Sequence, residues 1–271
     1  MTERIGGLRS QVGRRAYLAF VGLVYAFLLL PLIIVVLASV NSGELLAFPP
    51  EGFSLRWYWA FFNSRSFMDS LFFSLWLALL TSFSSTILGV TSSLYVVRFA
   101  GRWRDMLRIL IIAPLLLPEI LTAIALLFFY YNIGLFSKTF FGLYIGHVLI
   151  TLPFVFMAVT ASLYNFDNSI EEAARSLGAG KFTTFMRITL PIVKPGIMAG
   201  AMMAFIISFD LFAVSLLLKN IGSATLPIQL FDYVRWDFDP TAAAVSTVSI
   251  VITLGAVLLV EKLVGFRSLR F

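Results

Sequence analysis

Apolar residues in this chain gather in long blocks, and short polar stretches separate the blocks. A helix rises 1.5 Å per residue, so about 20 mostly apolar residues are enough to cross a bilayer. Six blocks reach that length: Tyr17–Val40, Asp69–Val97, Ile109–Asn132, Leu143–Tyr164, Pro195–Leu218 and Thr241–Val260. The pattern predicts an all-α polytopic membrane protein with six transmembrane helices. The second block is long enough to tilt or to extend past the bilayer. It carries hydroxyls throughout, among them Ser74, Thr81, Ser82, Ser85 and Ser93, which can bond to helix carbonyls or across to neighbouring helices. The first block exceeds the roughly 7–15 residues of a signal-peptide core, so it reads as a retained span.

Composition supports lipid as the solvent. Of 271 residues, 60% are hydrophobic and 13% charged. A soluble fold of this size could not hide so much apolar surface. The formal charge of +6 does not point to nucleic acid, because the basic residues lie between apolar blocks and not on one soluble face. They fall mainly on one side. Arg4, Arg9, Arg14 and Arg15 precede the first block. Arg98, Arg102, Arg104 and Arg108 follow the second. Arg175, Lys181, Arg187 and Lys194 follow the fourth, and Lys262, Arg267 and Arg270 close the chain. The opposite side holds Arg56, Arg65, Lys138, Lys219 and Arg235. The positive-inside rule then places both termini in the cytoplasm, and the even number of spans independently puts them on the same side.

Two outer segments are more than linkers. Phe53–Phe62 sets Trp57, Tyr58 and Trp59 beside Arg56, a composition suited to the headgroup zone, and predicts an interfacial helix; a partner-docking surface is the alternative. Phe231–Pro240 combines Tyr233 and Trp236 with three aspartates and is either a partner contact or a solvated loop. The chain divides into no separate soluble domain, so residues 1–271 read as one transmembrane domain.

The longest cytoplasmic insertion, residues 165–194, carries the most specific signal. It reads as helix, turn, helix. Asn168 or Ser169 can cap the first helix, and Glu171 and Glu172 sit in its first turn, where the dipole favours acids. Gly178 can supply the left-handed residue that ends it. An amphipathic stretch, Phe182–Leu190, leads to Pro191 and Pro195, which are expected to restart the chain into the fifth span. Ala173 and Ala174 give the helix a small face able to lie deep in a groove of another protein.

Glu172-Ala173-Ala174, then Gly178, then Ile188-Thr189-Leu190-Pro191 resembles the EAA loop of permease subunits of binding-protein-dependent ABC importers. Within that family the chain is similar to the spermidine/putrescine branch, second-permease type. Phe53-Ser54-Leu55-Arg56-Trp57-Tyr58, Pro118-Glu119-Ile120 and Leu152-Pro153-Phe154 carry that closer likeness. The resemblance implies a type I importer permease fold in a bacterial inner membrane. It implies a second, different permease chain, a dimer of ATP-binding subunits and a periplasmic solute-binding protein as partners. It assigns coupling to the ATPase to Glu171, Glu172, Ala173, Ala174, Gly178, Ile188, Leu190 and Pro191. ATP and Mg belong to the ATPase in such systems, so no cofactor is expected in this chain. Related branches carry ferric iron, opines, aminophosphonates, amino acids and other small solutes.

Two acids lie at membrane depth. Glu119 follows Pro118 in the third block, and Asp210 follows Phe209 in the fifth. An ionised carboxylate in hydrocarbon costs about 2.5–3.5 kcal/mol on insertion scales, so such groups face a cavity or a partner. Glu119, Asp210, Pro118 and Phe209 are therefore the candidate solute path, suited to an amine-bearing solute. Contact with the paired permease is the competing reading. Phe128, Phe129, Phe205 and Phe212 are aromatic candidates near the acids for stacking on an ammonium group.

Enzyme classes find little support. The chain has no cysteine and one histidine, His147, which reads as a residue near the start of a span or, less simply, as part of the pathway. No metal site or nucleophile–base pair is evident. Gly178-Ala179-Gly180-Lys181 is not a phosphate loop, because Arg175 stands where the first glycine belongs and Phe182 where Ser or Thr belongs. A secondary transporter would share the buried acids but has no use for an ATPase-docking motif.

Overall fold

The computed structural model of the chain describes residues 2–220 and 222–264. Arg267 and Arg270, counted above among the basic residues, lie outside the described residues. Among these every regular element is a helix: α1 (Thr2–Ser39), α2 (Arg56–Asn63), α3 (Arg65–Arg98), α4 (Arg104–Leu116), α5 (Glu119–Ile133), α6 (Phe140–Tyr164), α7 (Asn168–Ser176), α8 (Lys181–Thr184), α9 (Leu190–Asp210), α10 (Phe212–Leu218), α11 (Leu226–Val234) and α12 (Thr241–Val264). A 3-10 turn at Gly101–Trp103 precedes α4, and a π-helical turn at Phe185–Thr189 joins α8 to α9.

Five of the described helices are long and apolar enough to cross a membrane, and a sixth span is obtained when α4 and α5 count as one. That pair departs from the sequence reading. Ile109–Asn132 is not one continuous helix; the chain bends by 104° between α4 and α5. Pro118 is the physical reason. The residue before a proline is driven out of the helical region, and Leu117 is extended, with ψ 143°.

The fifth span also differs from its expected bounds, 195–218. Pro191 and Pro195 do not restart the chain. Helix runs from Lys181 through both prolines to Asp210, then breaks at Leu211. Pro191 has no amide to donate to a carbonyl one turn back. The wider π turn just before it takes up that mismatch, as such insertions commonly do.

The described residues form two compact units. One comprises residues up to Ser64 with Tyr233–Ile250. From Tyr17 to Leu37 its α1 exposes apolar side chains around its circumference, as a helix facing lipid or another chain must. Within the segment Phe53–Phe62, for which the sequence predicts a helix, α2 begins at Arg56. Trp57 donates Nε1–H to the Asn41 carbonyl at 2.8 Å, and Arg56 lies over the Trp57 ring at 4.3 Å. Trp59 and Phe62 stay exposed.

The second unit comprises Arg65–Asp232 with residues from Val251 on. Its core is α3, α6 and α9 packed on one another. Burial in lipid gives no hydrophobic drive between helices, so close packing and interhelical hydrogen bonds must hold them. Both are present. A Cβ on Gly200 would fall 2.8 Å from Val155 Cα, so only glycine lets α9 approach α6 this closely. The hydroxyls of α3 bridge as the sequence suggests: Ser85 to Thr151 at 2.7 Å, Ser93 to the Phe156 carbonyl at 3.0 Å and Ser82 to the Ala201 carbonyl at 2.7 Å.

Candidate functional site

The insertion between α6 and α9 folds as helix, turn, helix. Asp167 caps α7, not Asn168 or Ser169; its carboxylate accepts from the Ser169 amide at 2.9 Å. That amide bond, joined by the Ser169 side chain, holds the Asp167 carboxyl below its ordinary range. At the other end Gly178 adopts φ +88°. The Gly178 amide bonds the Arg175 carbonyl at 2.9 Å and the Ala179 amide bonds the Ala174 carbonyl at 3.0 Å. This 5→2 and 6→1 pair is a Schellman motif, which satisfies carbonyls the helix end leaves free. The chain then turns back into α8.

The two glutamates of α7 do different things. Glu172 is exposed and Glu171 is buried, 6% accessible. Arg98, the last residue of α3, grips Glu171 with two nitrogens, at 2.6 and 3.3 Å. Arg175, one turn along α7, reaches it at 3.2 Å, and the Thr189 hydroxyl of the π turn donates to it. Burial works to raise the Glu171 carboxyl. The hydrogen bonds from Thr189 and Arg98 and the charges of Arg98 and Arg175 outweigh it and hold the group below the usual carboxylate range. Glu171 therefore ties α7 to α3 and to the start of the fifth span. A cleft of about 540 Å³ opens beside it, lined by Arg98, Phe99, Arg104, Glu172 and Arg175 among others.

Other residues of the motif show a free face. Ala173 is exposed, and Ala174 half-buried. Leu177 is 90% exposed and Phe182 72%, an unusual price for apolar side chains in a polar loop. Ile188 and Leu190 are half-buried in the continuous helix, and Pro191 is exposed. Arg98 and Thr189 carry much of the arrangement. Sequence reasoning passed over both as site residues, because only the fold brings the end of α3 to α7. Arg98 stood out only as the first cation after a span, and Thr189 as the unspecified position in Ile-x-Leu-Pro.

The structure places both candidate acids at helix ends. Glu119 is the first residue of α5, just past Pro118, and both are exposed. Asp210 is the last residue of α9 and is exposed, whereas its neighbour Phe209 is buried and stacks on Phe205 with ring centres 6.1 Å apart. Phe128 and Phe129 are exposed on α5, and Phe212 is half-buried at the start of α10.

Residues 85–264 match the family model of the binding-protein-dependent transport system inner membrane component. The chain belongs to that family. It is a multi-pass membrane subunit of a transport system rather than an enzyme. It is 30% identical to the spermidine/putrescine transport system permease protein PotC of Haemophilus influenzae, over 89% of this chain and 93% of the relative. It is 32% identical to the putrescine transport system permease protein PotI of Escherichia coli K12, over 89% of this chain and 85% of the relative. Its fold is shared with the bacterial alginate ABC transporter solved in complex with an alginate pentasaccharide-bound periplasmic protein. The TM-score is 0.69 at 16% identity, covering 94% of this chain and 96% of the other.

Proposed function

We propose that this chain is one of two permease subunits of an inner-membrane ABC importer for a polyamine, such as putrescine or spermidine. The observation that carries the substrate is the full-length likeness to two permeases named for those solutes. The placement of the acids supports it. Asp210 ends α9, where free carbonyls add partial negative charge to the carboxylate. Broken helices at membrane depth are tolerated where they line a path. Glu119 and Asp210 face that path in this reading, with Pro118 making the break beside Glu119 and Phe209 holding the Asp210 end in the core.

Coupling runs through the insertion. With both termini in the cytoplasm, α7 faces a cytoplasmic ATP-binding dimer. Glu172, Ala173, Ala174 and the exposed Leu177 and Phe182 form the face that enters the ATPase groove. Glu171 faces inward and fastens α7, and Ile188, Leu190 and Pro191 continue the motion into the fifth span. ATP and Mg are held by the ATPase, and this chain binds no cofactor of its own. A second permease chain completes the pathway, a periplasmic binding protein delivers solute to the outer face, and residues 1–271 act as one transmembrane domain.

Tagged purification from native membranes in mild detergent tests this. An ATPase and a second, different permease should co-purify, and vesicles of that complex should take up putrescine or spermidine when given ATP and the binding protein. Recovery of this chain alone at several detergent strengths, or a complete complex that ignores both amines, would refute the assembly or the solute respectively.

A further inference from the structure

The break at Leu211 has no sequence cause of the ordinary kind. Sharp helix breaks arise at Pro, at Gly, at π turns, or where a side chain inserts into the hydrogen-bond ladder. Ser208 to Ser215 contains neither Pro nor Gly, and the α9 helix is regular up to Asp210. Hydrogen-bonding side chains flank the break on both sides. Ser215 donates its hydroxyl to the Leu211 carbonyl at 2.5 Å. His147 of α6, fully buried, spans the break: its Nδ1 lies 2.9 Å from Ser208 Oγ on α9, and its Nε2 lies 3.0 Å from Ser215 Oγ on α10.

The donors order themselves. Ser215 has spent its proton on Leu211, so its oxygen must accept from the ring, and Nε2 carries the hydrogen. In that tautomer Nδ1 is left to accept from the Ser208 hydroxyl. Both serines are buried, at 2% and 0% accessible, so every polar atom in this network has exchanged water for these partners.

We propose that His147 is a positioning residue: it braces the Leu211 break and so fixes where the Asp210 carboxylate stands. His147 is sealed inside the chain and does not touch solute. It acts through the helix end that it holds. The role in transport rests on the reading that Asp210 faces the solute path; the brace itself does not.

The test uses the intact transporter. The chain lacks cysteine, so Met203→Cys on α9 and Leu216→Cys on α10 give an unambiguous pair for spin labels. The parent should show one narrow label separation. His147→Leu should lengthen or broaden it and raise the putrescine concentration for half-maximal uptake about tenfold, with the maximal rate little changed. His147→Gln, which keeps a donor and an acceptor, should restore much of both. If His147→Leu fails to reach the membrane, Ser208→Ala and Ser215→Ala each remove one arm and carry the same expectation. An unchanged separation in the variants overturns the brace. A changed separation, with uptake indifferent to both His147→Leu and Asp210→Asn, leaves the brace standing and removes Asp210 from the path. If Asp210→Asn impairs uptake and His147→Leu alters the separation but not uptake, the positioning role is refuted.

Discussion

Arg98 and Glu171, 73 residues apart in sequence, meet at 2.6 Å where α3 ends against α7. Arg98 keeps about a quarter of its side-chain exposure, and Glu171 keeps almost none. Removing one partner of a buried pair strands the other, so Glu171→Ala should weaken docking of α7 by about 3 kcal/mol, near the low end for such losses because Arg98 can reach water. Amide exchange across residues 168–176 should accelerate accordingly. Uptake should fall steeply while the ATPase stays bound, since Glu172 and the exposed face are untouched. Slow exchange in Glu171→Ala would show that α7 is held by something else.

The sign of the Glu171 shift sets a pH window. Its carboxyl lies below the ordinary value of 4.5 when folded. A depressed acid contributes stability that is fully present above the unfolded value and is lost as pH falls through the folded one. Exchange of α7, corrected for intrinsic rate, should therefore be flat from pH 7 down to about 5 and rise only below the ordinary carboxylate range. Glu171→Gln should abolish that acid-side rise. A transition near neutrality would point to a different group.

Gly178 separates backbone need from space. A Cβ there would meet nothing within 4 Å in this chain, so the only intrinsic penalty is the left-handed φ of +88°. That penalty is about 1–2 kcal/mol for most residues and less for Asn. Gly178→Asn should retain most uptake, and Gly178→Val should lose it without losing membrane insertion. Equal loss in both would mean that the ATPase itself needs the vacant volume.

Glu119→Gln and Asp210→Asn remove charge from the two helix ends at nearly constant volume. Each should raise the half-saturating putrescine concentration about tenfold and leave ATPase association unchanged. Concentration-dependent uptake measures this directly. Unchanged kinetics in both variants would take the acids out of the path.

Much of this fold is legible because lipid imposes length and apolarity on every span, and the insertion is legible because Gly178 and the small residues around it have few other uses. The failures have physical causes. Pro118 carried a signal for a break, but the apolar block ran through it. Pro191 and Pro195 carried a signal for an interruption; a π turn absorbed the first, and α9 runs through the second. The Leu211 break carried none, since no Pro or Gly marks it and the His147 bridge across it comes from another helix. The contrast between Glu171 and Glu172 was equally invisible, because burial of one and exposure of the other depends on where Arg98 arrives.

The 34 residues of α3 make a rod about 51 Å long. Glu171 bolts α7 to the end of that rod, so the rod acts as a lever. A tilt of about 5° applied at Arg98 carries the Arg65 end through about 4 Å, if the helix stays straight along its 1.5 Å-per-residue axis. A slight rocking of the insertion is thus magnified at the far end into a shift comparable to the thickness of an alkyl chain.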